Sequence, residues 1–357
     1  MTAASRATMA VMSRLLCPFP LRRAGRALAA AALAGAALAP AAHAAPTTIS
    51  TEQRATPIAA WAGTVAWSSF DPATNDYHLV VSRNGAAPQR VAVAPNHVAF
   101  DLDLGTNRTG STYAVYSRCT TPATPNAPPT GCDLYRLSVA TGAETRLESL
   151  SSPDWDEREP TIFRGQIAFI RTETHGGRTQ DVLRTGNTTE GARGTTALVK
   201  LNRLAGALTD PELAQSRLAY IRTNRNGMQR DVHVRTLRTG GSDRLVYRAR
   251  SGGLNAANIA GLSLSDTASS FMWARTNQGS GRGNRLIRYG INTGRLAYAV
   301  GSPRWTSTAW ASQALGAAVM IDASGTGGSC FANVNDPPPA TRCSVQLTGH
   351  VSFTAGP

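Results

Sequence analysis

The chain has 357 residues, 36 basic and 22 acidic, for a formal charge of +14. Lys200 is the only lysine, and the arginines are spread evenly with no basic stripe and no interleaved aromatics, so no nucleic-acid partner is expected. An Arg- and Ala-rich, Lys-poor chain reflects GC-rich coding, and its charge is more easily matched to acidic wall polymers or lipid headgroups outside the cell.

Residues 1–44 read as a secretory signal peptide. They hold Arg6, Arg14, Arg22, Arg23 and Arg26 and no acid, then an apolar Ala/Leu run from Ala27 to Ala39, then the small-x-small site Ala42-His43-Ala44. The apolar run is shorter than the roughly 20 residues that span a bilayer, and no later segment is long enough. Arg22-Arg23 leaves twin-arginine export open beside an ordinary basic n-region, and Met9 or Met12 could be the true start. Removal of this segment leaves 313 residues with 31 basic and 22 acidic groups. Residues 45–56 are polar and read either as a loose leader or as an extra strand that closes a ring.

From there an aromatic-x-Arg unit returns about every fifty residues. Trp67 opens the series, with Ser69 in the Arg place. Tyr116 precedes Arg118, Phe169 precedes Arg171, Tyr220 precedes Arg222 and Trp273 precedes Arg275, and Met320 marks a weaker copy. The steps are 49, 53, 51, 53 and 47 residues, a repeat architecture. After each such strand comes a polar turn, then a strand led by Asp76, Asp133 or Asp231, and nine positions after each Asp a glycine: Gly85, Gly142 and Gly240. Glycine after Asn or Thr supplies the positive φ of a tight hairpin. A third strand follows the turn (Glu144 to Leu147, Arg244 to Tyr247), and a short one precedes the aromatic strand (Thr161 to Phe163). The pattern predicts an all-β fold, a six-bladed β-propeller of four-stranded antiparallel blades over residues 57–357, with units at 57–94, 95–152, 153–208, 209–252, 253–303 and 304–357. The stretch from Gly186 to Thr196 is expected as a long exposed loop. A β-sandwich is the rival fold, but it requires no fifty-residue period.

Of the cysteines, Cys17 precedes the apolar run. Cys119 and Cys132, and Cys330 and Cys343, are two pairs each spaced by thirteen positions around Pro/Asn/Thr-rich segments. An even count in an exported chain favours two local disulfides. Zinc is the competing reading, and neither pair has the CxxC spacing or the close His it needs.

Ala114-Val115-Tyr116-Ser117-Arg118, then Cys132-Asp133-Leu134-Tyr135, then Ala140-Thr141-Gly142 resemble TolB-type propeller repeats, as does the stretch from Leu218 to Gly240. The Ser-Arg-Cys and Gly-Cys-Asp-Leu-Tyr phrases are similar to those of a group of exported actinobacterial propellers. The resemblance covers units two to four well and the others loosely. It implies a propeller fold and an extracytoplasmic place. The separate N-terminal αβ domain of TolB is missing, so a role in an outer-membrane Tol system does not carry over.

Several groups are candidate sites. Arg118, Arg171, Arg222 and Arg275 could ring an anionic ligand, or form one ion pair per blade with Asp133, Asp181, Asp231 and Asn284. Asp101 and Asp103 alternate onto one face of an innermost strand, and so could face a central channel. With Gly105 at the third ligand position they do not match calcium-loop spacing. Asp154, Asp156, Glu157 and Glu159 form the densest polar run, expected as a loop before the third unit's first strand, and Asp210 and Glu212 take the matching place in the fourth. Together these eight acids are expected to make a negative sector at the channel mouth, where propellers take ligands; plain solvated loops are the alternative. No Gly-x-Ser-x-Gly elbow is present, and His78, His97, His175, His233 and His350 are isolated, so no catalytic group is assigned. The sequence therefore points to an exported, monomeric binding or scaffold protein without cofactor, recognising a protein or a cell-envelope glycan. The alternative is a lyase or hydrolase of an acidic polysaccharide; carboxylates and an Arg clustered in one pocket with shifted pKa values would favour that enzyme.

Overall fold

A computed structural model describes residues 46–121, 129–188, 194–238, 241–250, 257–264, 270–277, 285–299, 305–312, 316–322, 343–349, 351 and 353–355. Residues 1–45, Cys330 and His350 lie outside them. Every element among the described residues is a strand, and all pairings are antiparallel.

β1 (Thr47–Glu52) leads the fold. The first sheet is the meander β2 (Ile58–Trp61), β3 (Thr64–Asp71), β4 (Asp76–Arg83) and β5 (Gln89–Arg90). The second is β6 (Asp103–Thr106), β7 (Thr112–Thr121), β8 (Thr130–Ser138) and β9 (Glu144–Arg146). The third is β10 (Asp156–Phe163), β11 (Gln166–His175), β12 (Arg178–Asn187) and β13 (Thr196–Asn202). The fourth is β14 (Gly206–Ala214), β15 (Arg217–Asn224), β16 (Gln229–Thr236) and β17 (Asp243–Arg250). These four sheets are regular propeller blades. Two more depart from that pattern. One holds β18 (Ala257–Leu264), β19 (Ser270–Asn277), β20 (Arg285–Gly290) and β21 (Leu296–Ala299), with β25 (Phe353–Ala355) as a fifth strand. The other holds β22 (Trp305–Ser312), β23 (Gly316–Asp322) and β24 (Cys343–Thr348), and its fourth strand is β1. The first strand of the fold thus completes the sheet of β22 to β24.

The fifty-residue period has a direct meaning here. Trp67, Tyr116, Phe169, Tyr220 and Trp273 each lie in the second strand of a different sheet. The first four are fully buried or nearly so, and burying a large side chain stabilises by about 1.5–3 kcal/mol. Those with a polar atom find a partner: the Trp67 indole donates to Glu52 (2.7 Å), and the Tyr116 and Tyr220 hydroxyls donate to Glu144 and Asp243 (2.5 Å each). The apolar core is divided into slabs between neighbouring sheets. One slab joins Phe70 and Leu79 to Phe100 and Tyr116, the next joins Leu134 to Phe169, and the next joins Leu183 to Tyr220. Asn84 and Gly85 have φ of 50° and 74°, the two positive values that a type I′ hairpin requires.

The first strands of successive sheets are neighbours. β6 packs between β2 and β10, β14 between β10 and β18, and β22 between β18 and β2. Their contacts run in a cycle from β2 through β6, β10, β14, β18 and β22 back to β2. Two of the unit boundaries need correction. The fourth sheet begins at Gly206, not after 208, and the polar run from Asp154 is not all loop, because β10 starts at Asp156. Asp210-Pro211-Glu212 likewise lies inside β14. Bulges explain how such residues enter a strand. The register slips between Arg158 and Thr161 and again between Thr209 and Glu212, with Glu159 and Asp210 at φ of 51° and 49°. Pro160 and Pro211 fall in the bulges, where a missing N–H removes no ladder hydrogen bond.

Cys119 and Cys132 are directly opposite on β7 and β8 and form a disulfide. Cys343 is also disulfide-bonded.

Candidate functional site

Five of the eight acids converge on the inner strands of the second, third and fourth sheets. Asp101 accepts from the Ser117 N–H and hydroxyl (2.6 Å each) and from the Glu159 N–H (2.5 Å). Glu159 accepts from the Asp210 N–H at 2.6 Å. One layer along, Asp103 accepts from the Thr161 hydroxyl (2.8 Å) and the Ile162 N–H (2.9 Å), and Thr161 Oγ1 accepts from the Leu213 N–H (3.0 Å). Each time a polar side chain of one sheet or its entry segment takes an amide of the next, and Ser68 of β3 does so one sheet earlier with the Phe100 N–H (2.7 Å). The bulged, positive-φ positions turn these amides and carboxylates toward each other.

The ladder latches sheets together, and it stops at the fourth. The Asp210 carboxylate has the Thr209 hydroxyl as its hydrogen-bond neighbour. Arg230 offsets the charge of Asp210. Glu212 has the charges of Asp103 and Asp210 as its neighbours. Together with Asp103, Trp61 and Ser263 it lines a narrow cavity of about 30 Å³, room for about one water.

Burial dominates the acid–base behaviour of the group. These carboxyls are half-buried, Glu159 keeping 27% of its side-chain surface. Burial raises Asp103 to about 6 in spite of its three hydrogen bonds. It raises Glu159 to about 8, opposed by Arg158 and reinforced by Asp210 and Asp101. Asp101 and Asp210 are also raised by burial, and Glu212 is raised well above the usual carboxylate range by burial and then by its two acidic neighbours.

The other three acids do not join this group. Glu157 is fully buried and paired with Arg171 (2.6 Å), and also accepts from the Ser152 N–H (3.2 Å); burial still pushes it up to about 7. Asp156 accepts from the Cys132 N–H (3.1 Å), tying the second sheet to the third. Asp154 sits exposed in the preceding turn. The single negative sector of eight acids is therefore a channel group of five plus structural contacts. Period-two alternation breaks down at the bulge, which separates Glu157 from Glu159.

Two of the repeated arginines form ion pairs, but not with the expected partners, while Arg222 is exposed and Asn284 lies outside the described residues. Arg118 pairs with Glu144 (2.8 Å) and Arg171 with Glu157. Asp133 and Asp231 are matched instead by arginines of the outermost strands, Arg146 (2.7 Å) and Arg248 (2.9 Å), and Asp181 by Arg158 of β10 (3.1 Å) and by Arg203 after β13 (3.6 Å). Histidines 78, 97, 175 and 233 each sit beside a separate acid. Among the described residues no three His, Cys, Asp or Glu side chains stand close enough together to hold a metal ion.

Beside the ladder lies a cavity of about 270 Å³. Its polar wall is Asp101, Ser117, Arg158, Glu159, Arg203 and Thr209, and Val98, Ala99, Pro129 and Ala207 supply apolar wall. Arg158 is 6% exposed. It gives Nη2 to Asp181 (3.1 Å), and its Nη1 is buried without a partner. Arg203 and Thr209 carried no sequence signal. Arg203 follows Asp181 by 22 positions, whereas the corresponding steps are 13 from Asp133 to Arg146 and 17 from Asp231 to Arg248, so no fixed spacing marks it.

No family model matches the chain, and no curated protein matches it in sequence. Solved structures similar to it include the acylaminoacyl peptidase of Pyrococcus horikoshii, at 7% identity and a TM-score of 0.42 over 75% of this chain and 49% of that one. Prolyl oligopeptidase B of Galerina marginata is similar at 9% identity and a TM-score of 0.39 over 68% of this chain and 33% of that one. The chain thus spans less than half the length of either.

Proposed function

We propose that the protein is an exported six-bladed, TolB-like β-propeller that acts by binding, and that it takes a cell-envelope glycan at the mouth of its axial channel. In this reading residues 1–44 are removed on export and the segment that follows closes the ring through β1. The mature chain is a monomer. Six hydrogen-bonded sheets with their first strands in cyclic contact support the blade count. The disulfides support an oxidising compartment, and no helix among the described residues is long and apolar enough to cross a membrane.

The observation that carries the binding role is the 270 Å³ cavity at the inner ends of three adjacent sheets. Its wall mixes carboxylate acceptors, guanidinium donors and hydroxyls, with small apolar faces between them. Sugar rings, whose hydroxyls both donate and accept and whose C–H faces are apolar, match such a wall. Co-sedimentation of the mature protein with insoluble envelope polysaccharide tests the reading. Binding that survives protease treatment of the envelope and is lost after glycosidase treatment supports it. The reverse pattern assigns a protein partner instead, and no co-sedimentation at all removes the binding role.

One observation favours an enzyme. Glu159, which burial raises to about 8, shares a pocket with Asp101 and Arg158, and acid–base cleavage of a glycosidic bond needs a carboxyl that can donate a proton near neutral pH. Release of new reducing ends or unsaturated products from acidic polysaccharide, abolished by Glu159→Gln, would move the assignment from binding to catalysis.

A further inference from the structure

We infer that the cavity between the second, third and fourth sheets is a subsite for a single acidic sugar residue, a uronate, with its carboxylate toward Arg158 and Arg203 and its hydroxyls toward Asp101 and Glu159. This rests on the glycan reading and names the class of sugar.

The charges around the cavity call for an anion. Two guanidiniums share one carboxylate behind the wall: Asp181, fully buried, lies 3.1 Å from Arg158 Nη2 and 3.6 Å from Arg203 Nη1. Asp181 is further occupied by the Thr172 hydroxyl (3.2 Å) and the Leu208 N–H (3.2 Å). Two guanidiniums against one carboxylate leave one positive charge over, with Arg203 the more exposed of the two and Nη1 of Arg158 buried without a partner. Burial raises both Glu159 and Asp101, which weakens their charged forms beside the guanidiniums. A buried guanidinium without its full set of acceptors is costly, and a planar carboxylate is the acceptor that its fork fits.

Size and polarity narrow the ligand. About 270 Å³ lies near the lower end of small-molecule sites and suits one sugar ring better than a folded peptide segment. Ser117 and Thr209 add hydroxyls, and Ala99 and Ala207 leave small flat faces for C–H groups. A simple inorganic anion would use the guanidiniums and leave most of the space unfilled.

The test uses the mature chain and two monosaccharides that differ only at C6, D-glucuronate and D-glucose, with saturation-transfer NMR and titration as readouts. Glucuronate should bind at least ~10-fold more tightly than glucose, the value of one charge-assisted hydrogen bond. Arg203→Gln, at a partly exposed position, should bring glucuronate to the level of glucose. Ala207→Leu, which fills the cavity and leaves both guanidiniums in place, should abolish binding of either sugar. Equal affinity for the two sugars would overturn the uronate assignment and leave the glycan reading standing. Neither sugar binding in the tens of millimolar, with envelope polysaccharide still bound, would overturn the cavity as the subsite. An unchanged affinity in Ala207→Leu would overturn it as well. Unaltered thermal unfolding of each variant separates these outcomes from misfolding.

Discussion

The Asp103→Asn variant tests the balance of forces in the channel group. Asp103 lies in the ladder between the second and third sheets and is raised from 3.8 to about 6, because burial outweighs three hydrogen bonds. The folded state therefore binds this proton more tightly than the unfolded state. The stability that Asp103 contributes is complete below about pH 4 and is lost as pH rises through about 6. The change from 3.8 to about 6 corresponds to about 3 kcal/mol. Asparagine keeps one acceptor for the Thr161 hydroxyl and the Ile162 N–H but gives up the bond from the Leu104 N–H (2.7 Å), a cost of about 1 kcal/mol that does not depend on pH. Wild type should thus be the more stable protein near pH 4, and the variant should gain on it by about 3 kcal/mol by pH 7. Glu212, raised in part by the charge of Asp103, shifts the balance further the same way. Urea unfolding followed by tryptophan fluorescence at several pH values between these limits measures the difference directly. A wild-type-minus-variant difference that stays flat from pH 4 to 7, or grows with pH, would refute the dominance of burial over hydrogen bonding at this carboxyl.

Two further substitutions probe the frame that holds the cavity. A Cβ on Gly105 would overlap the backbone carbonyl oxygen of Ile162, so Gly105→Ala should separate β6 from β10. The expected cost is about 1–3 kcal/mol, read as a thermal midpoint lower by several degrees; an unchanged midpoint would mean that the inner strands are not in close contact. Replacing both Cys119 and Cys132 by serine opens a crosslink spanning 13 positions. Chain-entropy arguments give a loss of about 3 kcal/mol, to be seen as a lower urea midpoint than that of the oxidised wild type, and equal midpoints would show that β7 and β8 need no staple.

The sequence by itself determined the repeat, the strand type and the identity of the aromatic in each second strand. Those features are local. Alternation, turn glycines and one packing solution reused every fifty residues can all be read within a single unit. The Asn84-Gly85 turn and the cross-strand position of Cys119 and Cys132 belong to the same level, since each depends only on the hairpin that contains it. Asp101, Asp103, Asp210 and Glu212 were legible as residues of interest, because alternation and place in the repeat mark the inner strand. Tertiary structure decided what they do. Which amide each carboxylate takes depends on the neighbouring sheet, and the bulges at Glu159 and Asp210 are backbone slips of one strand against another that no periodicity announces. The same slip removed Glu157 from the group and committed it to Arg171. Arg203 and Thr209 come to the cavity wall because three sheets meet there, and the excess positive charge exists only because Asp181 is shared between two arginines that are 45 positions apart. Charge balance and desolvation are properties of a volume rather than of a segment, so the chemistry of the mouth becomes visible only when the sheets are packed around it.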